Sequence, residues 1–474
     1  MQQAVVFVHG IGEQKPMETS RRFVAAILPK PKSGEKYWSQ PDHLSEILEL
    51  RRLSSRSRPN THFYEYYWAH HVHGTNVSHL ARWLASLIIR RKRNVPAHLR
   101  GIWRISRLTT IAIIVFLGLG GYELWMPVKT GSPRWLIVAA LLAMIQYVSI
   151  RYLGDAARYL SPTPENISTR KKIRSEGMRL LRELHKKKRG YDRIIIVGHS
   201  LGSVIGYDLI TRLWQEYNTI HKDPKRMKQP AIKGISDIGE KLNDISADET
   251  SAGRNNDTEP EYDKVYDKFR TTQIDLWHEQ KAATNPWRIT DFITLGSPLA
   301  HAQLLLADSM DDFDRRTFQR ELPKCPPVLD GKTYFYWKRP PYLRNGKKIS
   351  LGTLHHAAPF AVTRWTNLYF PAIGGIFGDL VGGPLQKVFG NGIKDIPVTT
   401  KRWWGLARFT PISHTMYWSP HEQDHTLAEG DGRKITSRKI QSPKKFALPT
   451  LRESLELRQL GKFSVTKVST DITD

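Results

Sequence analysis

A serine between two glycines is the residue of this chain best suited to nucleophilic chemistry. The segment Gly-His-Ser-Leu-Gly at 198–202 directly follows an apolar run at 193–197, and a helical pattern follows it. This order predicts a strand, a tight turn and a helix, in which the glycines let Ser200 project its hydroxyl above a sheet. The helix N-terminus would stabilise developing negative charge. The alternative is an ordinary turn in which Ser200 only caps the helix.

A second glycine-rich loop, His9-Gly10-Ile11-Gly12, ends the apolar run at 4–8. Acyl transfer passes through a tetrahedral oxyanion, which needs about two N–H donors. The candidate donors are the backbone N–H groups of Ile11 and Leu201, and Gly10 lines the same loop. The alternative is a simple tight turn.

Three sequence blocks together resemble the landmarks of a known family. They are Val-Phe-Val-His-Gly-Ile-Gly-Glu-Gln at 6–14, Gly-His-Ser-Leu-Gly at 198–202 and Thr-Leu-Gly-Ser-Pro-Leu at 294–299. These blocks are similar to those of lipase-like α/β-hydrolases, in scattered segments from residue 4 to about residue 418. The resemblance implies a membrane-anchored bacterial serine hydrolase with a triad of Ser, Asp or Glu, and His in that chain order.

The resemblance places the triad acid after a late strand of the sheet. In this chain the predicted strand at 364–370 is followed by a glycine-rich spacer and then by Asp379, which is the predicted acid. Asp395 is the alternative. Asp208 lies within the helix after the nucleophile and is expected to face away from the site.

The resemblance places the histidine on a loop near the C-terminal end of the core. Pro-Ile-Ser-His-Thr-Met-Tyr-Trp at 411–418 is similar to that segment, so His414 is the predicted general base. The alternatives are His421, His425, His355 and His356.

Acyl transfer by these three side chains requires no metal and no cofactor. One histidine cluster, His70, His71 and His73, has the ligand type for a metal. It lacks acidic or thiolate partners at a fitting spacing, so we expect a surface histidine run and no metal site.

The elements that must position these residues alternate between strands and helices. Apolar, β-branched or aromatic runs predict strands at 4–8, 62–68, 193–197, 289–295 and 364–370, and helical patterns occupy 165–188 and 203–217. Such alternation predicts the α/β class, with a mostly parallel sheet and helices on both faces.

Two apolar runs, at 108–126 and 135–150, interrupt this scheme. The first is long enough to cross a bilayer core of about 30 Å, so together they predict an inserted transmembrane hairpin. The alternative is a buried helical hairpin within a large core. Upstream, apolar residues at helical spacing over 77–88 predict an amphipathic helix.

Charge favours an anionic lipid surface as the partner. Lys and Arg number 72 against 45 Asp and Glu, a net charge of +27, and basic residues cluster at 90–107 and 151–174, beside the apolar runs. Nucleic acid is not expected, because no recognition motif is present. Both ends of the hairpin are predicted to face the cytoplasm. With the bacterial origin that the resemblance implies, this places the enzyme on the cytoplasmic side of the inner membrane.

The single cysteine, Cys325, excludes an intramolecular disulfide, and no signal peptide is expected at the N-terminus. The predicted divisions are a first part of the hydrolase core (1–75), the amphipathic helix and hairpin (76–160), the nucleophile strand and helix (161–220), a mobile polar insertion that could cover the site (221–285), the second part of the core with the acid and histidine (286–430), and a polar tail (431–474).

The predicted function is cleavage of an ester in a lipid or another amphiphile, as in a lipase, phospholipase or carboxylesterase. A serine peptidase or thioesterase on the same fold is one alternative, and a catalytically inactive membrane scaffold is another. The oligomeric state, the acyl chain and the head group stay open.

Overall fold

The computed structural model shows an α/β domain. It describes residues 2–10, 15–29, 34–44, 47, 49–55, 59–71, 89, 91–92, 95, 100–125, 138, 140, 159–160, 164–218, 230–252, 259–282, 284–329, 336–338, 342–344, 347–349, 352–372, 378–379, 381–400, 411–419 and 445–463.

An eight-stranded sheet forms the centre of the domain, in the order β12-β11-β6-β5-β1-β4-β3-β2. All neighbours from β12 to β4 pair in parallel, whereas β3 and β2 add an antiparallel edge. Two small antiparallel pairs, β7 with β10 and β8 with β9, lie outside the sheet. The strands are β1 (Gln2–Val8), β2 (Tyr37–Pro41), β3 (Arg51–Ser55), β4 (Asn60–Tyr66), β5 (Arg193–His199), β6 (Ile289–Leu295), β7 (Tyr336–Lys338), β8 (Tyr342–Arg344), β9 (Lys347–Ile349), β10 (Gly352–Leu354), β11 (Arg364–Tyr369) and β12 (Lys394–Pro397).

Helices cover both faces of the sheet. The α-helices are α1 (Glu18–Ile27), α2 (Arg100–Trp125), α3 (Pro164–His185), α4 (Leu201–Tyr217), α5 (Pro230–Ala252), α6 (Glu259–Ala282), α7 (Ala302–Leu305), α8 (Met310–Phe318), α9 (Gln386–Phe389) and α10 (Ala447–Leu455). Short 3-10 helices span Ala69–His71, Lys187–Arg189, Pro298–His301, Pro359–Ala361, Pro411–Thr415 and Leu457–Phe463.

Alternate residues of the central strands enter two separate apolar cores. Val6 and Ile196 pack with residues of α3 to α6, whereas Val5 and Ile195 pack with residues of α1 and α10. A strand buried on both faces needs a continuous apolar sequence, which is why the predicted strands at 4–8 and 193–197 have no polar alternation. The expectation of a mostly parallel sheet with helices on both faces is confirmed.

Residues 108–125 of the first apolar run lie within α2, and several of their apolar side chains are exposed. The second run lies outside the described residues except for positions 138 and 140, and the predicted amphipathic helix at 77–88 lies outside them altogether. In the described part of the chain, no helix has both the length and the apolar character to span a bilayer.

Two regions differ from their predicted character. The stretch at 221–285, expected to be a polar insertion, contains α5 and α6, whose buried residues include Ile235, Leu242, Phe269 and Trp277. The predicted polar tail contains α10, which joins the core beside α1. In both segments the buried apolar residues recur every three or four positions, for example Ile235, Ile238 and Leu242 in α5 and Leu448, Leu451 and Leu455 in α10. This helical pattern is obscured by the many polar residues around them.

A buried carboxyl fixes the chain between β1 and α1. Oε2 of Glu65 accepts hydrogen bonds from the backbone N–H of Met17 (2.6 Å) and from the hydroxyl of Ser20 (3.2 Å). Burial raises the pKa of Glu65 to about 7, and these two hydrogen bonds only partly oppose the rise.

The raised pKa of Glu65 makes stability depend on pH. The folded protein holds this proton more tightly than the unfolded chain, so stability falls as pH rises from about 4.5 to about 7. We expect Glu65→Gln, which cannot ionise, to be more stable than the natural protein by about 3 kcal/mol at about pH 8, and nearly equal to it at about pH 4. Urea unfolding at both pH values measures this difference.

The matched control is Glu18→Gln, which removes an exposed carboxylate from α1, the helix that Glu65 contacts. Its stability difference from the natural protein should stay small at both pH values. A Glu65→Gln protein that is destabilised equally at both pH values would contradict the account.

Candidate active site

Ser200 occupies a strained turn between β5 and α4. Its backbone has φ 52° and ψ −129°, a left-handed φ that non-glycine residues rarely adopt. The N–H of Ser200 donates to the carbonyl of Leu295 on β6 (2.9 Å), which ties the turn to the neighbouring strand. This is the geometry of a sharp strand-to-helix elbow, a turn that can present a serine hydroxyl at the end of a sheet.

Glycine is required on either side of Ser200 because the backbone at both positions lies very close to other parts of the chain. A Cβ at Gly198 would lie 2.5 Å from Cα of Ser203, and one at Gly202 would lie 2.1 Å from the carbonyl oxygen of Val8. Both contacts are too short for any side chain. The elbow therefore packs directly against its own helix and against the end of β1.

Asp379 and His414 form a hydrogen-bonded pair. Nδ1 of His414 lies 3.0 Å from both carboxylate oxygens of Asp379. The carboxylate also accepts the backbone N–H groups of Val381 (2.9 Å) and Gly382 (3.0 Å) and the hydroxyl of Tyr417 (2.9 Å). Five donor–acceptor contacts thus fix the buried carboxylate, and two of them are to the imidazole of His414.

The surroundings of Asp379 keep its carboxyl ionised. Burial alone would favour the neutral form, but His414 and the N–H and O–H donors outweigh it and lower the pKa of Asp379 to about 2. The side chain is fully buried, whereas 17% of the His414 side chain is exposed. The pair therefore presents a negative charge on the inner side of an accessible imidazole.

Gly296 connects this pair to the serine. It follows Leu295, whose carbonyl binds the N–H of Ser200, and its φ is 55°. A Cβ at Gly296 would lie 2.8 Å from Nδ1 of His414 and 2.9 Å from Oδ2 of Asp379. The end of β6 therefore touches the elbow through one residue and the acid–base pair through the next.

His199 joins the elbow to the turn that carries His414. Its Nε2–H donates to the carbonyl of His414 (2.8 Å), and the two rings lie 5.0 Å apart. Burial, reinforced by the charge of His414, lowers the pKa of His199 to about 3, so its ring is neutral at ordinary pH. A neutral His199 ring can hold the backbone of His414 without competing with the His414 imidazole for a proton.

The loop after β1 lies against Ser200. A Cβ at Gly10 would lie 2.8 Å from Cβ of Ser200, so the Gly10 backbone contacts the serine side chain. The ring of His9 holds this loop: Nδ1–H donates to the Gly10 carbonyl (2.8 Å), and Nε2 accepts the N–H of Trp68 (3.4 Å). Burial lowers the pKa of His9 to about 4, which keeps this tautomer neutral.

The two predicted oxyanion donors have different outcomes. Leu201 is the first residue of α4, so its N–H is among those that a helix leaves without an intrahelical acceptor. Ile11 lies outside the described residues. The structure therefore places one of the two predicted donors directly after Ser200.

The alternative acids have other partners. Asp395 accepts hydrogen bonds from Asn367 (2.7 Å) and from the N–H of Gln386 (2.9 Å). Asp208 binds Arg174 and the hydroxyl of Tyr159 (2.6 Å for each). The structure brings neither into the pair with His414.

Of the four alternative bases, two have other partners and two lie outside the described residues. Nε2 of His355 contacts the carbonyl of Val328 (2.7 Å), and its Nδ1 accepts the N–H of Ala357 (3.2 Å). His356 lies beside it and hydrogen-bonds the backbone of Arg320. His421 and His425 lie outside the described residues.

Two residues of this site escaped the sequence argument. His199 is the variable residue of the Gly-x-Ser-x-Gly segment, and Tyr417 is three residues after His414. Proximity to the motifs is the only sequence signal for either. Their contacts depend on strands and turns that are distant along the chain.

The expectation that the histidine run has no acidic partner is wrong. Within the described part of the chain, His70, His71 and Glu176 form one group with the spacing of metal ligands. Glu176 lies on α3, more than 100 positions further along the chain. His73 lies outside the described residues.

Comparison of this chain with protein-family models, with curated proteins and with solved structures found no match.

Proposed function

We propose that this protein is a serine hydrolase that cleaves esters through an acyl-enzyme intermediate, with Ser200, His414 and Asp379 as its triad. The observation that carries the proposal is the buried Asp379–His414 pair, linked through Leu295 and Gly296 to a serine in the strained elbow. A helix-capping serine has no need of a positive φ or of an acid–imidazole pair beside it.

The first half of the reaction forms the acyl-enzyme. Because Nδ1 of His414 is held by Asp379, Nε2 is the ring nitrogen left to accept the Ser200 proton. Oγ of Ser200 attacks the ester carbonyl carbon, and the resulting oxyanion is stabilised by the N–H of Leu201 and the loop at Gly10. The C–O bond to the leaving alcohol then breaks, and His414 returns the proton to that alcohol.

The second half releases the acid. Water gives its proton to Nε2 of His414 and attacks the acyl carbon, and collapse of the second tetrahedral intermediate restores the Ser200 hydroxyl. Throughout, the ionised Asp379 stabilises the imidazolium that forms twice in each cycle. The pKa of about 2 means that Asp379 stays charged at any pH at which the protein is expected to be folded.

We further propose that α2 attaches the enzyme to an anionic lipid surface. Leu108, Ile111 and Val115 lie three and four residues apart, so they share one helix face, and each is about half exposed or more. Arg104 and Arg107 are exposed one turn earlier. Apolar side chains beside arginines suit the boundary between acyl chains and anionic head groups. The proposed location is the cytoplasmic side of a bacterial inner membrane.

Activity on a matched set of substrates tests the reaction. Purified protein should hydrolyse oxygen esters, and Ser200→Ala, His414→Ala and Asp379→Asn should each lower kcat by about 10⁴-fold, because the triad acts as a unit. Asp395→Asn is the control for the acid, since it alters another buried carboxylate, on β12. It should retain activity if the protein stays folded.

The same substrate set separates the rival functions. Thioesters or amides of equal acyl chain turned over faster than oxygen esters would identify a thioesterase or a peptidase on the same site. Absence of turnover of all three classes by well-folded protein would favour a scaffold without catalysis.

Removal of one hydroxyl should weaken catalysis without affecting binding. Tyr417→Phe deletes the hydrogen bond to Oδ2 of Asp379 (2.9 Å) and leaves the ring in place. Loss of a hydrogen bond to a charged group predicts a fall in kcat of about 10-fold with KM unchanged. Steady-state kinetics with a short ester measures both.

The control is Tyr207→Phe, which deletes a buried hydroxyl that binds the carbonyl of Pro323 (2.8 Å), away from the triad. It should cost stability as Tyr417→Phe does, but leave kcat unchanged. An equal fall of kcat in both variants would show that Tyr417 acts only through stability.

Replacement of apolar residues of α2 by glutamate should weaken the binding of the protein to lipid. Ile111 is 52% exposed and Val115 is 49% exposed, so the double variant Ile111→Glu with Val115→Glu should fold. We expect its binding to vesicles of anionic lipid to weaken by about 100-fold, as two apolar side chains lose their burial in lipid. Flotation with phosphatidylglycerol vesicles measures binding, and hydrolysis of a soluble ester should be unchanged.

Phe318→Glu, at an apolar residue 79% exposed on α8, is the matched control and should bind vesicles normally. Equal binding by all three proteins would refute a role for α2 at the membrane.

A further inference from the structure

A short helical turn after β4 carries two adjacent histidines to the surface of α3. The 3-10 helix Ala69–His71 begins three residues after β4 ends, and the hydroxyl of Tyr66 donates to the carbonyl of Ile173 on α3. This contact brings the turn beside Glu176, one helical turn further along α3. Three side chains with metal-binding atoms meet there from two distant segments.

The distances between these atoms are close to those around a bound metal. Nε2 of His71 lies 2.6 Å from Oε2 of Glu176, Nε2 of His70 lies 3.5 Å from the same oxygen, and the three ligand atoms all lie within 4.8 Å of one another. Ligands at about 2.0–2.1 Å from a tetrahedral zinc ion are roughly 3.3 Å apart. A shift of less than about 1 Å in the His71–Glu176 distance would admit the ion.

We propose that His70, His71 and Glu176 bind a divalent transition-metal ion of the Zn²⁺ type. Two imidazole nitrogens and one carboxylate oxygen are ligands that zinc accepts, and three protein ligands leave a fourth position for water. Between 19% and 31% of each side chain is exposed, so an ion can enter and water can complete its shell. The three ligands hold the end of β4 to α3.

The metal site is connected to the loop beside Ser200 through one aromatic ring. Tyr67 stacks on His70 with ring centroids 5.6 Å apart and planes at 11°, and it lies 5.3 Å from the ring of His9. His9 in turn holds the carbonyl of Gly10. The ring of Tyr67 thus separates the proposed ion site from His9, and binding of the ion does not depend on the proposed hydrolase activity.

Metal titration of the purified full-length protein tests the site. After treatment with EDTA, the protein should bind one equivalent of Co²⁺ with the visible absorption of tetrahedral Co²⁺, and Zn²⁺ should displace it. His71→Ala and Glu176→Gln should each weaken this binding by more than the roughly 100-fold that loss of an outer partner causes. Zn²⁺ should raise the melting temperature of the natural protein and of neither variant.

His278→Ala is the matched control, because His278 lies on α6 outside the proposed metal site and its Nε2 donates to the carbonyl of Lys462 (2.7 Å). It should keep the tetrahedral Co²⁺ spectrum and the thermal shift, and circular dichroism confirms that each variant is folded. A natural protein that binds no equivalent of Co²⁺, or full affinity in either His71→Ala or Glu176→Gln, would overturn the proposal and leave Glu176 as a hydrogen-bond partner of the histidines.

Discussion

The left-handed backbone of Ser200 is the constraint on which the arrangement of the site depends. Such a conformation costs about 1–3 kcal/mol and persists only where the surroundings hold it. Here they do so from three sides: the Leu295 carbonyl binds the N–H of Ser200, the Gly10 backbone contacts its side chain, and Gly202 packs on the end of β1. Because β1, β5 and β6 are neighbouring parallel strands, their carboxyl ends meet at the elbow.

A buried charge is the second requirement of the site. Asp379 is fully buried, and an isolated carboxylate in that position would be neutral. Its hydrogen bonds to His414, Tyr417 and two backbone N–H groups keep the charge, and the same bonds orient the imidazole. His199 fixes the backbone of His414 from the other side. Electrostatic stabilisation and positioning therefore come from the same contacts.

The sequence predicted those elements of the fold that are determined by a local pattern of residues. Five strands, and the elbow at Ser200, follow from apolar runs buried on both faces, whereas β2 was missed because its residues are largely exposed. The helices α5 and α6 were missed because polar and charged residues predominate in both, although their buried apolar residues recur at helical spacing. Asp379 and His414 were predicted from the family resemblance. Glu176 was predicted neither from a local pattern nor from the resemblance. Its proximity to His71 depends on how α3 packs, which no spacing along the chain encodes.

The most direct test of the account is to identify which residue reacts with a fluorophosphonate probe, which modifies activated serines. Digestion and mass spectrometry of the labelled full-length protein should place one phosphonyl group on Ser200 and none on Ser203 or Ser297, whose hydroxyls bind each other at 2.6 Å in the core. Labelling should disappear in His414→Ala, which keeps Ser200 but removes its base. Well-folded protein that takes no label, or takes it on another serine, would contradict the assignment of Ser200 as the nucleophile.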